Sequence, residues 1–177
     1  MPRKPRAYAA GLFHFAAQGS DLRYLFSSDE DREDFLKRLA GVCERFEIAL
    51  LSYALMGTHY HTILGIPDER VSQALQRLHT EYSRHCNRRW GRSAHLFRAH
   101  PLARMIESDE DLVGAARYLA RNPVEAGLVP DPLAWPWSSA RAHAGFEPPR
   151  IPLAEDALQA AFGGASWRRN YVAQIRR

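Results

Sequence analysis

The sequence predicts an α+β fold in which helices pack on one face of an antiparallel sheet. Three segments carry apolar residues at helical spacing, and four others are short, largely apolar and bounded by turn residues. In chain order they read β-α-β-β-α-β-α, which is the split βαβ arrangement of ferredoxin-like and RRM-like domains. The 177 residues, 46% of them hydrophobic, are enough to form a core without a structural metal or disulfide.

The first half of the chain contains three of the predicted strands and one helix. Ser28 precedes three acidic residues, which is typical of a helix start because the hydroxyl caps the first turn and the acids suit its dipole. Gly57 and Thr58 separate two apolar runs and predict a two-residue hairpin turn, with Gly57 expected at positive φ. The predicted elements are strands at 12–17, 48–56 and 59–66 and a helix at 29–46.

The second half contains two more helices and the last strand. Pro101 indicates an edge position for that strand, since proline cannot donate to a ladder. Ser108 is the expected cap of the last helix, and Pro123 is its expected end. The predicted elements are helices at 70–90 and 109–121 and a strand at 95–106. Beyond Pro130 the chain is loop-like, and we expect one domain over 1–145 followed by a basic extension over 146–177.

The positive charge comes almost entirely from arginine. The chain has 24 basic and 20 acidic residues, a net charge of +4, and all but two of the basic residues are Arg. The planar guanidinium forms paired hydrogen bonds to phosphate, so this bias favours a nucleic-acid partner. GC-rich coding DNA explains the same bias equally well.

Cysteine usage and hydropathy predict a cytoplasmic protein with no membrane partner. Cys43 and Cys86 fall within helical patterns and form no disulfide framework. No apolar run approaches the roughly 18 residues of a membrane helix. The apolar run at 7–17 follows a basic start, but His14 interrupts it, so we do not expect a secretion signal.

His59 and His61 are the first candidate functional residues. Side chains alternate along a strand, so both imidazoles project from one face while Tyr60 projects from the other. This spacing lets the two rings bind one metal ion, although hydrogen-bonded strand histidines show the same pattern. Histidine-triad nucleotide hydrolases need a third histidine, and position 63 is Ile.

Tyr118 and Asn122 form the second candidate pair, one helical turn apart and off the apolar stripe of the last helix. A tyrosine that faces away from the core is free to react, and an amide one turn later can complete a metal site. A partly exposed structural tyrosine, and an asparagine that caps a short helix beginning at Pro123, are the alternatives.

The third candidate feature is the basic middle of the chain. Between Arg77 and Arg104 arginine, histidine and aromatic residues alternate, with Glu81 as the acid among them. On the helix at 70–90, Arg77, Arg84 and Arg88 lie opposite the apolar stripe. This pattern is typical of a surface that follows phosphates and stacks bases, and equally of a solvated helix face.

Taken together, these segments resemble the REP-associated tyrosine transposases, a family within the HUH single-strand endonucleases and the IS200-like transposases. The resemblance lies in residues 11–14 (GLFH) with Gly19, 31–35 (DREDF), 53–56 (YALM), 59–61 (HYH), 87–91 (NRRWG), 95–97 (HLF), 118–129 (YLARNPVEAGLV) and 137–141 (WSSAR). Where the family usually has Pro-Asn before the first histidine, this chain has Gly57-Thr58, and its segment 98–104 replaces a basic-aromatic strand.

The resemblance implies a metal-dependent enzyme that cleaves and rejoins single-stranded DNA at hairpin sequences. By this analogy His59 and His61 bind Mg or Mn with Asn122 as third ligand, and Tyr118 is the nucleophile that forms a 5′-phosphotyrosine. The implied DNA-binding residues are Arg77, Arg84, Arg88, Arg89, Arg98 and Arg104. The resemblance also implies a nucleoid-associated protein that is a monomer or a homodimer.

Two other functions stay open from the sequence. The altered segment at 98–104 favours a catalytically silent protein that binds DNA hairpins on the same fold, whereas the intact His59, His61 and Tyr118 favour the enzyme. A metal-dependent phosphoesterase that acts on small nucleotides is the third reading, and it predicts turnover without a covalent adduct.

Overall fold

The computed structural model describes residues 8–91, 93, 95–98 and 101–177. The strands are β1 (Gly11–Gln18), β2 (Ala49–Leu55), β3 (His59–Ile66) and β4 (Leu102–Ile106). The helices are α1 (Asp29–Arg45), α2 (Val71–Arg89), α3 (Asp109–Glu125), α4 (Ala140–His143), α5 (Asp156–Ala161) and α6 (Trp167–Ile175). Single 3-10 turns lie at Ser20–Leu22, Pro132–Ala134 and Gly164–Ser166.

The four strands form one antiparallel sheet in the order β2-β3-β1-β4. This order confirms the predicted α+β fold, because β3 returns from its hairpin to lie between β1 and β2. The pairing of β2 with β3 shifts between Leu50 and Ser52, so β2 changes the face that its side chains occupy. The outer edge of β2 is covered by the chain after α3, where Ser138 bridges Ala54 and the Leu55 amide donates to the Trp137 carbonyl.

Helices cover both faces of the sheet, which corrects the prediction of a single helical layer. α1 and α2 pack on the face that carries Phe13 and Phe15 of β1. α3, α5 and α6 pack with Leu51, Ile63 and Ile106 on the other. Helices are needed on both faces because the central strands carry apolar side chains on both of them.

The face under α1 and α2 is closed by large aromatic rings. Phe15, Phe35, Tyr60 and Tyr82 are fully buried there. The Phe35 ring lies 4.8 Å from the Tyr60 ring and 5.1 Å from the Tyr82 ring, centroid to centroid, so the aromatic side chains fill this layer.

The α3 helix runs through Pro123 to Glu125, so the prediction that this proline ends the helix is wrong. Pro123 lies in the final turn, where the loss of one amide hydrogen breaks at most one helical bond. The turn is closed beyond it, as the amides of Ala126 and Leu128 donate to the carbonyls of Asn122 and Pro123. Asn122 is therefore a helical residue and not the cap of a new helix.

The last strand is shorter than predicted. It begins at Leu102 and not at position 95, and Phe97 forms only an isolated bridge with Gly19. The Arg98 amide donates to the Gln18 carbonyl. Residues 99 and 100 of the predicted strand lie outside the described part of the chain.

The chain beyond Pro130 contains α4, α5 and α6, so the expectation of a loop-like segment is wrong for these residues, while 135–139 and 144–155 are irregular as expected. Phe162, Trp167 and Tyr171 join the core beneath α3. His143 is fully buried, and its Nδ1 lies 3.1 Å from Glu155 Oε1. The sequence pattern did not reveal these helices because they are short and gain stability only from packing on α3.

Gly57 has no positive φ, contrary to the expectation for its turn. A Cβ at this position would lie 3.1 Å from Cε1 of the Tyr24 ring, so close approach of an aromatic ring accounts for the glycine. Within the described residues, no helix is both long and apolar enough to cross a membrane.

Candidate functional site

The structure gathers His14, His59, His61, Tyr118 and Asn122 on the α3 face of the sheet. β1 and β3 supply the three histidines at positions that alternate with the buried aromatic residues of the opposite face. α3 crosses this face and places Tyr118 and Asn122 one turn apart above the histidines. The four residues that the sequence singled out for chemistry thus lie together.

His59 and Asn122 face each other across the gap between β3 and α3. His59 Nε2 lies 3.2 Å from Asn122 Oδ1, and His59 Nδ1 lies 3.2 Å from the Thr58 hydroxyl. The hydroxyl can donate or accept, so it stabilises either tautomer of the ring. When Nδ1 donates to Thr58, the Nε2 lone pair of His59 is free for a cation.

His61 is buried and is held by His14, a residue that sequence reasoning did not assign to the site. His14 Nε2 lies 3.0 Å from His61 Nδ1. Because this hydrogen bond occupies Nδ1, the outward nitrogen of His61 is Nε2. His14 thereby orients the ring, as second partners of ligand histidines commonly do. When His61 Nδ1 is the donor of this hydrogen bond, the Nε2 lone pair of His61 is free for a cation.

Tyr118 is exposed beside these rings. Its side chain is 42% exposed, and its ring centroid lies 5.4 Å from that of His61 and 5.8 Å from that of His14. The histidine rings support one side of the phenol, and the other side is open to solvent. A large substrate can therefore reach Tyr118, which agrees with the predicted exposure of this residue.

Burial keeps two of the histidines neutral. It lowers the pKa of His61 to about 3, with smaller contributions from His14 and His59. Burial also lowers the pKa of His14, with a further contribution from the Arg104 guanidinium. A neutral imidazole is the form that binds a metal ion.

The donor set fits a divalent cation that accepts nitrogen and oxygen ligands. Two ligands at right angles around an ion at about 2.1 Å lie about 3 Å apart, which is the spacing of His59 Nε2 and Asn122 Oδ1. Within the described part of the chain, no three His, Cys, Asp or Glu side chains form a metal-binding group. A site here thus needs the amide of Asn122 as well as the imidazoles.

The arginines predicted to bind DNA do not gather at this site. Arg77, Arg84 and Arg88 project from α2, which covers the opposite face of the sheet. Arg104, on β4, lies at the rim of a cavity beside Tyr118. Of the six predicted residues, the structure brings this one to the histidines and tyrosine.

Two of the candidate arginines on α2 form ion pairs within the protein. Arg89 pairs with Glu30 and lies 3.5 Å from the buried Asp31, which ties the end of α2 to the start of α1. Arg77 pairs with Glu81 at 2.8 Å. These contacts favour structural roles for Arg89 and, more weakly, for Arg77.

Arg84 and Arg98 lie near the end of the sheet where His59 is located. Gln18 at the end of β1 pairs with His59, and its carbonyl accepts the Arg98 amide. Arg84 lines a groove with Phe97 next to that segment.

The signal for His14 was present in the sequence. It interrupts an apolar strand and alternates with Phe13 and Phe15, which predicts a position on the opposite face from both rings. What the sequence could not show was the pairing of β1 with β3, which sets Ala16 opposite His61 and brings His14 diagonally against it.

Comparison with known proteins gives one family match. Residues 13–101 match the family described as transposase, IS200-like. The matched segment includes β1, β3 and α2 with all three histidines, and it ends before Tyr118 and Asn122. No curated protein matches the chain in sequence.

A solved structure has the same fold. It is described as a REP-associated tyrosine transposase bound to a REP hairpin, and it superposes with a TM-score of 0.68. Sequence identity is 14%, over 87% of this chain and 92% of the other.

Proposed function

The chain belongs to the IS200-like transposase family, and from that premise we propose that it cleaves and rejoins single-stranded DNA through Tyr118. The observation that supports this proposal best is the exposed tyrosine packed against His61, beside the His59–Asn122 pair. A nucleophile and a cation-binding donor set then face the same open surface. We further propose a hairpin-bearing strand as substrate, by analogy with the hairpin-bound structural neighbour.

We assign the metal ligands to Nε2 of His59, Nε2 of His61 and Oδ1 of Asn122. A divalent ion bound there supplies Lewis acidity and neutralises phosphate charge. Two imidazoles are unusual ligands for Mg, which prefers oxygen, so Mn is the better probe in vitro. His14 and Thr58 can each accept the Nδ1–H hydrogen bond that this assignment requires of His61 and His59.

Tyr118 acts as the nucleophile in this proposal. Its phenol oxygen forms a bond to phosphorus as the bond from phosphorus to the 3′-oxygen of the preceding nucleotide breaks. The phenol gives up its proton, and the leaving oxygen takes one to become a 3′-hydroxyl. The 5′-phosphotyrosine retains the energy of the phosphodiester, so attack by a 3′-hydroxyl reverses the reaction without ATP.

A covalent-trapping experiment tests the proposal. The protein is incubated with Mn and labelled single-stranded hairpin oligonucleotides from repeats that flank its gene, and a denaturing gel shows whether label migrates with protein. We expect an adduct with the wild-type chain and none with Tyr118→Phe. Tyr60→Phe is the matched control, because it removes a phenol hydroxyl from the opposite face of the sheet and leaves Tyr118 unchanged.

Two results would contradict this function. Tight oligonucleotide binding with no adduct under any divalent ion identifies a silent hairpin-binding protein. Turnover of small nucleotide phosphodiesters without an adduct identifies a phosphoesterase. An adduct that persists in Tyr118→Phe overturns the assignment of the nucleophile.

A further inference from the structure

A cavity of about 640 Å³ opens beside Tyr118, between β4 and the first turns of α3. His14, Ala16 and His61 form its floor, and Leu102 and Gly114 lie on opposite walls. The residues that line it do not include His59 or Asn122. This cavity, which we call the α3–β4 cavity, is thus lined by Tyr118 and by His61, one of the assigned metal ligands, but not by the His59–Asn122 pair.

Gly114 contributes to the open volume of the cavity. A Cβ built at this residue would meet no atom within 4 Å, so the local packing accepts a side chain there. Glycine inside a helix costs about 1 kcal/mol relative to alanine. Neither the backbone angles of Gly114 nor the atoms around it require glycine at this position. A ligand that occupies the space next to Tyr118 would explain why a side chain is absent there.

The chemistry of the α3–β4 cavity fits a nucleobase better than a phosphate. Most of the lining surface is apolar, with Leu102 and Ala115 among its residues. Two carboxylates, Glu110 and Asp111, line it against one guanidinium, Arg104, which already lies 3.4 Å from Asp111. This charge balance repels a phosphate, whereas carboxylates accept hydrogen bonds from exocyclic amines of bases.

We propose that the α3–β4 cavity is a nucleobase-binding subsite that holds one unpaired base next to the scissile phosphate. The inference rests on the proposed DNA cleavage at Tyr118 and extends it to the position of a neighbouring nucleotide. The apolar walls receive the faces of the base, and Glu110 accepts its exocyclic amine. Anchoring this base places the adjoining phosphodiester at the Tyr118 phenol.

The test combines a cavity-filling variant with abasic oligonucleotides. Gly114→Leu fills the cavity, and Gly41→Leu is the matched control, because Gly41 is also a helical glycine with open space around its Cβ position. A set of hairpin oligonucleotides carries a single abasic nucleotide at successive positions of the unpaired strand. Binding is measured without divalent ion, and adduct formation is measured with Mn.

For the wild-type chain, one abasic position should weaken binding and slow adduct formation by about 5- to 150-fold, the usual loss for one stacked base. Gly114→Leu should show the same loss on the intact oligonucleotide and no further loss on the abasic one. On the abasic oligonucleotide, the variant and the wild-type chain should form the adduct at the same rate, which would show that Tyr118 of the variant still reacts. Gly41→Leu should behave as wild type.

Full binding by Gly114→Leu, or unchanged sensitivity of this variant to the abasic position, would overturn the subsite. These results are independent of cleavage. If an abasic position weakens binding but no adduct forms, the subsite is supported and DNA cleavage is refuted. If adducts form but no abasic position has an effect, DNA cleavage is supported and the subsite is refuted. If the wild-type chain binds none of the oligonucleotides, both proposals fail.

Discussion

The two faces of the sheet are built from alternate residues of the same strands and differ in what they leave open. β1 directs Phe13 and Phe15 to the α1–α2 face and His14 to the α3 face. β3 directs Tyr60 to the first and His61 to the second. The first face is filled with aromatic rings, and the second combines imidazoles with a cavity.

This difference shows how one sheet can supply stability and chemistry separately. On the α1–α2 face, the Tyr60 hydroxyl lies 2.7 Å from His79 Nε2, and His79 stacks on Phe97. On the α3 face, His61 meets His14 within a cavity beside the half-exposed Tyr118. Both faces contain histidine and tyrosine, but Tyr60 of the first is fully buried, whereas Tyr118 of the second is exposed.

The largest expected effect is the loss of metal binding when histidines of the α3 face, but not of the α1–α2 face, are substituted. His59→Ala and His61→Ala should each weaken Mn binding by more than about 100-fold, since changes to residues that only support a ligand already cost 10- to 100-fold. His79→Ala, a histidine of the α1–α2 face, should bind Mn as wild type does. Calorimetric titration measures all three, and equal affinity across the set would remove the metal site.

The stability of the α1–α2 face should depend on pH through His79. Burial lowers the pKa of His79 from 6.5 to about 4, so the unfolded chain takes up the proton first as the pH falls. The free energy of unfolding should therefore decrease between pH 6.5 and 4, by on the order of 3 kcal/mol. Urea unfolding at successive pH values measures this decrease.

His79→Gln is the reference for that measurement, since it has no group that titrates in this range. The difference between the two unfolding curves isolates His79 from other titrating groups. A difference that does not change with pH would show that His79 is not held neutral by its surroundings.

A smaller effect is expected at His14, which supports the site without being assigned as a ligand. His14→Ala should weaken Mn binding by about 10-fold, because His61 Nδ1 loses the hydrogen-bond partner that orients its ring. His14→Gln, which keeps a hydrogen-bonding group, should recover part of the affinity. An alanine variant with wild-type affinity would show that His61 needs no partner.

The smallest effect tests whether DNA reaches the α1–α2 face. The double variant Arg84→Ala/Arg88→Ala should weaken oligonucleotide binding several-fold and reduce its salt dependence by up to about two phosphate contacts. Lys37→Ala/Arg45→Ala removes the same charge from exposed positions on α1 and should alter neither. If the salt dependence of oligonucleotide binding is equal for both double variants, DNA does not contact Arg84 and Arg88 on the α1–α2 face.

Much of the fold was predictable because local patterns agreed with it. The predicted β3 has the observed bounds, α1 ends one residue earlier than predicted, and α2 is one residue shorter at each end. The capping of α1 by Ser28 is present as expected from the acids that follow it. Such elements can be predicted from periodicity and caps, because both depend on residues that are close in sequence.

The errors concern features that depend on distant residues. Pro123 is tolerated in α3 because it is buried in the last turn, and α5 and α6 form because α3 offers an apolar surface to cover. Tyr24, which requires Gly57, lies more than 30 positions earlier in the chain. None of these contacts leaves a local sequence pattern.

The sequence by itself determined the order of strands and helices, the shared face of His59 and His61, and the pairing of Tyr118 with Asn122 on one side of a helix. Those relations follow from the two-residue period of a strand and the 3.6-residue period of a helix. Only the tertiary structure decided that α3 crosses the histidine face, that His14 holds His61, and that most of the candidate arginines lie on the opposite side. Such relations depend on strand order and helix packing, which bring together residues about 50 positions apart or more.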